Sequence, residues 1–253
     1  MLLVGLLSSP VQAFSRHSRR AFVAVSSSSL ISTPTMTGTT TTKDNQTAKV
    51  WDRFAEGYSK QPIGDEEAYQ KKLQITQQLF RPNMNVLEFG CGTGGTSILH
   101  APYVHRILAT DISSKMIDIA KQKAQEANVQ NVEFRQASID ELKLPDQSQD
   151  VVLGMSILHL LDNKDDAIAK TYKWLKPGGR FVTSTVCIGD MGFATKMFMT
   201  TVLPIGRFIG YLPTVNAMTK SELRNSMTRN GFKIEQEWQP KEGAAVFMVA
   251  KKE

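Results

Sequence analysis

The sequence predicts an α/β fold, a mostly parallel sheet with helices on both faces, and three observations carry that prediction. From Asn85 onward, short apolar runs alternate with helix-compatible segments, the pattern of buried strands joined by crossover helices. The first run, Val86 to Phe89, passes into Gly90-Cys91-Gly92-Thr93-Gly94-Gly95, as a buried strand does when it hands over to a tight turn and a helix N-terminus. The second run ends in Asp111, 21 residues after Gly90, and an acid there reaches the ribose hydroxyls of an adenosine.

The chain has 253 residues, 41% of them hydrophobic, enough for one domain with a sizeable core. Its net charge is +6. Residues 1–42 contain Arg16, Arg19 and Arg20 and no acid, so the remainder carries 27 basic and 24 acidic residues. That balance gives no nucleic-acid stripe. Two cysteines, one of them inside the glycine loop, make no disulfide framework and no metal-ligand spacing.

Residues 1–42 start with a short apolar run, pass through Ala13-Phe14 to the arginines, and continue into Ser26 to Ser29 and Thr39 to Thr42. Such a segment cannot bury a core and reads as a leader that is removed. Its apolar run is too short to span a membrane. The Ala13-Phe14 junction resembles the two-part leaders of proteins sent to plastids; a mitochondrial leader and a tail without function are the alternatives.

Residues 43–84 read as helices preceding the first strand. Trp51, Phe54 and Tyr58 fall on one helical face. Trp51 reads as covering the sheet, whereas Phe54 and Tyr58 suit a lid over the cofactor mouth equally well. A second helix runs from Glu66 to Phe80 and stops at Pro82.

In the core, strands are expected at Val86–Phe89, Arg106–Asp111, Val132–Ala137 and Asp150–Met155, joined by right-handed crossovers. Ser113 caps a helix over Lys115 to Ala127. A ligand then sits where the strand ends meet at the carboxyl edge. A covering helix over Asp165 to Leu175 ends at Pro177-Gly178, and a fifth strand runs from Phe181 to Val186. Thr219-Lys220-Ser221-Glu222 is a capping box opening a helix over Leu223 to Arg229, closed by Asn230-Gly231.

The glycines leave two cofactors open. Gly90, Gly92 and Gly95 satisfy the dinucleotide fingerprint, and Asp111 suits either adenosine. Glu88-x-Gly90-x-Gly92-x-Gly94, however, resembles the first motif of class I S-adenosylmethionine (SAM) methyltransferases of the small-molecule type. Thr110-Asp111-Ile112-Ser113 is similar to that family's ribose-binding motif. Leu144 to Val152 resembles its approach to strand four, Trp174-Leu175-Lys176-Pro177-Gly178-Gly179-Arg180-Phe181 its turn into strand five, and Phe232 to Trp238 with Ala244 to Ala250 its closing antiparallel pair. The resemblance runs over nearly all of 50–253.

It implies a Rossmann-like seven-stranded sheet with the last strand antiparallel, and SAM as cofactor. Glu88, Gly90, Cys91, Gly92 and Gly94 would take the methionine and ribose face, with Glu88 orienting either the loop or the cofactor's amino group. Asp111 and Ile112 would hold the ribose with Met116 beside them, Ser138 and Ile139 the adenine, and Ser156 and Tyr58 the remaining contacts. Where the family often has Asp, this chain has Ser138, so adenine holding leans more on backbone groups and on Ile139. Asp140 reads as a surface residue. No metal is implied.

His159, just past strand four, is the candidate base or substrate orienter, against the alternative of a satisfied core histidine. His100 and His105 receive no role. Residues 187–218 are long for a connection and rich in methionine and aromatics. They suit an acceptor pocket for an apolar or planar molecule, a covering helix, or an interfacial helix with peripheral membrane contact. The expected activity is direct methyl transfer to a small acceptor, with an NAD(P) oxidoreductase or a non-catalytic SAM-binding protein as alternatives. The oligomeric state is left open.

Overall fold

A computed structural model describes residues 42–192, 197 and 215–253. The leader and most of the 187–218 segment, with the pocket and membrane readings placed on it, lie outside the described residues. Helix α1 (Thr42–Ser59) and helix α2 (Glu66–Leu79) precede strand β1 (Asn85–Phe89). Then follow α3 (Gly95–His100), β2 (Arg106–Asp111), α4 (Ser114–Glu126), β3 (Val132–Gln136), β4 (Gln149–Met155), α5 (Lys164–Trp174), β5 (Leu175–Thr185), α6 (Lys220–Arg229), β6 (Phe232–Trp238) and β7 (Val246–Lys252).

The seven strands form one sheet in the order β3-β2-β1-β4-β5-β7-β6, as expected in number. The pairs from β3 to β5 are parallel, and β7 runs antiparallel to both β5 and β6. That reversed strand, inserted between the fifth and sixth, distinguishes the sheet from the dinucleotide order 3-2-1-4-5-6.

Side-chain alternation along each strand divides the core in two. Leu87, Phe89, Val152 and Phe181 pack under α5 and α6 through Ile168, Trp174, Leu223 and Met227. On the opposite face Val86, Ile107, Ala109, Leu153 and Val182 meet Ile98 of α3, Ile117 and Ala120 of α4, and the half-buried Ile75 and Leu79 of α2. The caps read from sequence are present. The Ser113 hydroxyl accepts the Met116 amide at 3.1 Å, and the Thr219 hydroxyl accepts the Glu222 amide at 3.1 Å while Glu222 Oε2 accepts the Thr219 amide at 2.7 Å.

The entry to strand five differs from expectation. Pairing begins at Leu175 rather than Phe181: Gln149 pairs with Leu175, and two residues later Val151 pairs with Arg180. Lys176-Pro177-Gly178-Gly179 is therefore an excursion within the strand. Lys176 Nζ holds Asp150 Oδ1 at 2.7 Å, and a Cβ on Gly179 would lie 2.9 Å from the Lys176 carbonyl oxygen and 3.0 Å from that of Asp150.

His100 is buried with its ring 5.0 Å edge-on from Phe80, and among the described residues neither ring nitrogen has a hydrogen-bond partner. Burial lowers its pKa to about 3 from 6.5. Between those values the unfolded chain carries one proton more than the native one, so native stability falls as pH falls. His100→Leu should abolish that contribution. The stability difference, variant minus wild type, should grow by about 1.4 kcal/mol per pH unit below pH 6.5 in urea titrations; parallel pH profiles would refute the assignment.

Candidate cofactor site

Strand β1 delivers its side chains alternately to the two faces of the sheet, so Phe89 and Glu88 part company at the loop. Phe89 lines a cavity at the carboxyl edge of the sheet, together with Gly90, Gly92, Asp111, Ile112 and Met116. The turn after β3 adds Ala137, Ser138, Ile139 and Asp140, and the segment after β4 adds Ser156, Ile157, Leu160, Leu161 and Asp162. Asp44, Thr47, Trp51 and Tyr58 of α1 complete the wall. The space between these walls, counting the open mouth, is about 980 Å³.

The loop is shaped by what glycine lacks. Gly90 has φ +67°, and a Cβ there would stand 2.5 Å from Ile157 Cγ1. A Cβ on Gly94, φ +76°, would stand 2.7 Å from both Ala120 Cβ and Phe134 Cε1. Gly90 thus keeps the cradle floor open beside Ile157, whereas Gly94 lets the loop lie flat on α4 and β3. Over Gly92 the Tyr58 ring is 3.5 Å from the corresponding point.

Asp111 fixes the loop. Its Oδ2 accepts the Gly92 amide and its Oδ1 the Ser113 amide, both at 2.9 Å. Burial raises its pKa to about 6 against those two hydrogen bonds, and the nearby Asp52 carboxylate raises it further. Each oxygen retains a lone pair for a ribose hydroxyl.

Of the residues expected to contact the cofactor, Gly90, Gly92, Asp111, Ile112, Met116, Ser138, Ile139, Ser156 and Tyr58 are brought together on one wall. Glu88, Cys91 and Gly94 are not. Glu88 points to the opposite face, 2% exposed, and accepts the Ser97 hydroxyl; this corresponds to the loop-orienting alternative for that residue. Burial lifts its pKa to about 7, with the Ser97 hydrogen bond opposing and Asp111 adding to the rise. The Cys91 side chain is buried and its amide donates to the Thr110 carbonyl at 2.9 Å, tying the loop to β2.

The structure keeps His159 off the described lining. It lies on the single 3-10 turn Leu158–Leu160, fully buried, and is absent from the lining, which takes Leu160 and Leu161 instead. At three residues per turn, successive side chains diverge by a third of a circle, and the turn that sends Leu160 to the wall sends His159 inward. Its carbonyl accepts the Asn216 amide at 2.7 Å. Trp51 also departs from its sequence reading: it lines the cavity, and Phe54 packs edge-on against it at 6.4 Å without lining it. Asp140 is exposed, as read, with its carboxylate paired to Lys170 at 3.1 Å, and it borders the cavity, as do Asp44, Thr47, Ile157 and Asp162. Ser156 carries one structural signal that sequence does not show, a left-handed φ of +58° where its amide donates to the Ser184 carbonyl at 2.7 Å; backbone of this kind concentrates at functional sites.

A glycine cradle, a two-amide acid at the next strand end and an aromatic roof define a nucleoside-cofactor site on a Rossmann-like sheet. Residues 86–179 match the methyltransferase domain family. Residues 86–179 thus carry a methyltransferase domain.

The chain is 32% identical over 155 residues to the ubiquinone/menaquinone biosynthesis C-methyltransferase UbiE of Vibrio campbellii, covering 57% of this chain and 60% of that one. It spans about half the length of the curated relatives it matches, 44% of the uncharacterized methyltransferase YcgJ of Bacillus subtilis and 60% of UbiE. In fold it is similar to the geranyl diphosphate C-methyltransferase of Streptomyces coelicolor A3(2), with TM-score 0.65 and 16% identity over 84% of this chain and 99% of that one. It is also similar to a SAM-dependent methyltransferase of Mesorhizobium loti, with TM-score 0.57 and 17% identity over 72% and 98%. The sheet order and the family match decide against the dinucleotide reading of the glycines.

The residues present fit SAM: a floor that a Cβ at Gly90 would fill, an acid for the ribose diol, and apolar side chains beside it. A cationic ligand favours the ionised forms of Glu88 and Asp111, whose native pKa values are about 7 and about 6. SAM affinity should therefore tighten as pH rises from 5.5 to 7.5, by at most about tenfold per unit for each proton released. Glu88→Gln should remove the part of the rise near pH 7 and leave the part near pH 6. Calorimetric titration across that range reads both; a flat profile would exclude the linkage.

Proposed function

We propose that this protein transfers the methyl group of SAM directly to a small acceptor with an apolar or aromatic body. The observation that carries the reading is the composition of the wall: Trp51, Tyr58, Phe89, Ile139, Ile157, Leu160 and Leu161 supply apolar surface beside the carboxylates of Asp44, Asp111, Asp140 and Asp162. Such a wall suits an acceptor with a neutral apolar body. The quinone-related name of the Vibrio relative points the same way.

When bound, SAM supplies a methyl made electrophilic by its sulfonium. The chain's task is then to align and to exclude water. Asp111, bonded to the Gly92 and Ser113 amides, fixes the cradle and receives the ribose. Helix α1 roofs the site with Trp51 and Tyr58. Phe89 and Ile157 add apolar surface to the same wall, against which an acceptor would be held in line. No protein nucleophile is required, and carboxylates are the available proton acceptors, which suits acceptors that ionise readily or offer a lone pair.

Incubating the full chain with methyl-labelled SAM and a panel of hydroquinones, phenols, thiols, amines and a prenyl diphosphate tests the reading. Methylation of an aromatic or apolar neutral acceptor is expected, without turnover of the diphosphate. Tight SAM binding without turnover of any acceptor would instead indicate a non-catalytic SAM-binding protein. Asp111→Ala should weaken SAM by about 1–3 kcal/mol through lost charge-assisted hydrogen bonds, read by calorimetry.

The composition of residues 1–42 supports delivery to a plastid, with the mitochondrion as the alternative. A fluorescent reporter carrying that segment should co-localise with plastids when expressed in a plastid-bearing cell.

A further inference from the structure

We infer that Asp52 is a positioning residue, the latch that holds helix α1 closed over the cofactor and couples the roof to the ribose-binding acid. Helix α1 presents Asp44, Thr47, Trp51 and Tyr58 to the cavity, residues spaced along one helical face. Asp52, next to Trp51, turns from the cavity to the N-terminus of α4. Its Oδ1 accepts the Ser113 hydroxyl at 2.6 Å and the Lys115 amide at 3.1 Å.

Of those two donors, the Lys115 amide is one of the first-turn amides that α4 leaves without an intrahelical partner. Ser113 satisfies the Met116 amide with its own oxygen, and Asp52, 63 residues upstream of Lys115, satisfies the Lys115 amide. Next to Asp52 in space, α1 buries Ala48 and Ala55, small side chains that allow close approach.

Ser113 is the shared node. Its hydroxyl donates to Asp52 and its amide donates to Asp111 Oδ1, which with Gly92 fixes the ribose acid. Lifting α1 therefore removes Trp51 and Tyr58 from the wall and at the same time frees the Ser113 hydroxyl beside Asp111. The Asp52 hydrogen bonds thus tie the roof helix to the turn that follows Asp111, and release of the cofactor past Trp51 and Tyr58 breaks them. The reading rests on SAM occupying the cavity.

Stopped-flow measurement of SAM and S-adenosylhomocysteine dissociation from the full chain tests the inference. Asp52→Ala should release both ligands at least about tenfold faster, whereas Asp52→Asn, which retains an accepting oxygen, should stay within about threefold of wild type. In a Ser113→Ala background, Asp52→Ala should add a smaller factor than in the wild type, because the hydrogen bond shared with Ser113 is already gone and only the Lys115 contact remains to be lost. The cofactor-free melting temperature of Asp52→Ala should stay within about 3 °C of wild type, a change corresponding to no more than a surface contact. Should that variant not fold, Asp52→Gln, whose longer stem displaces the oxygen from its donors, carries the same expected rate.

A wild-type chain that binds no SAM would overturn the cofactor reading and the latch with it. A wild type that binds SAM, with Asp52→Ala dissociation unchanged or with Asp52 and Ser113 effects that multiply independently, would overturn the latch alone.

Discussion

The constraint on which the site depends is one carboxylate shared between two backbone amides. Asp111 closes the end of β2 onto the loop after β1 by accepting the Gly92 amide, and onto the start of α4 by accepting the Ser113 amide. Without it, the glycine loop would have neither a fixed height above the sheet nor a fixed distance from α4. Cys91 reinforces the arrangement from beneath, its amide bonded to the Thr110 carbonyl. Burying the acid is unfavourable for its charge, which its raised pKa records, and the two amides offset part of that desolvation.

A second layer of polar groups lies behind the loop, on the opposite face of the sheet. Glu88 holds the Ser97 hydroxyl at the start of α3. Lys72 of α2, also buried, donates to the Ser184 hydroxyl at 3.0 Å, and burial lowers its pKa. Helices α2 and α3 are thereby pinned to the ends of β1 and β5 by single side-chain hydrogen bonds. Polar contacts of this kind specify how a helix sits more than how firmly it is held.

Much of this was legible in the sequence because it follows from local rules. Apolar runs of strand length, the glycine spacing, the Ser113 cap and the Thr219-Glu222 box each depend on neighbours a few residues away, and each is where the pattern placed it. What escaped reading depends on direction in space. Alternation along β1 separates Glu88 from Phe89, but the sequence does not say which face will border the cavity. A helical stripe containing Trp51, Phe54 and Tyr58 does not say which edge of the stripe meets the ligand. His159 sits one step along a 3-10 turn from Leu160, and that step decides between core and wall. The Lys176 to Gly179 excursion could not be told from a turn outside the strand, since its pairing partner Gln149 lies far upstream.

The insertion of β7 between β5 and β6 bears on how the chain can assemble. Strand β6 is made before β7 but has no neighbour in the sheet except β7. During synthesis the five parallel strands can associate in the order they emerge, while β6 and the helix before it must wait beside an unfinished edge. The hydrogen-bonding edge of β5 stays open over that interval, which makes the pairing of β7 the step that closes it against misassociation.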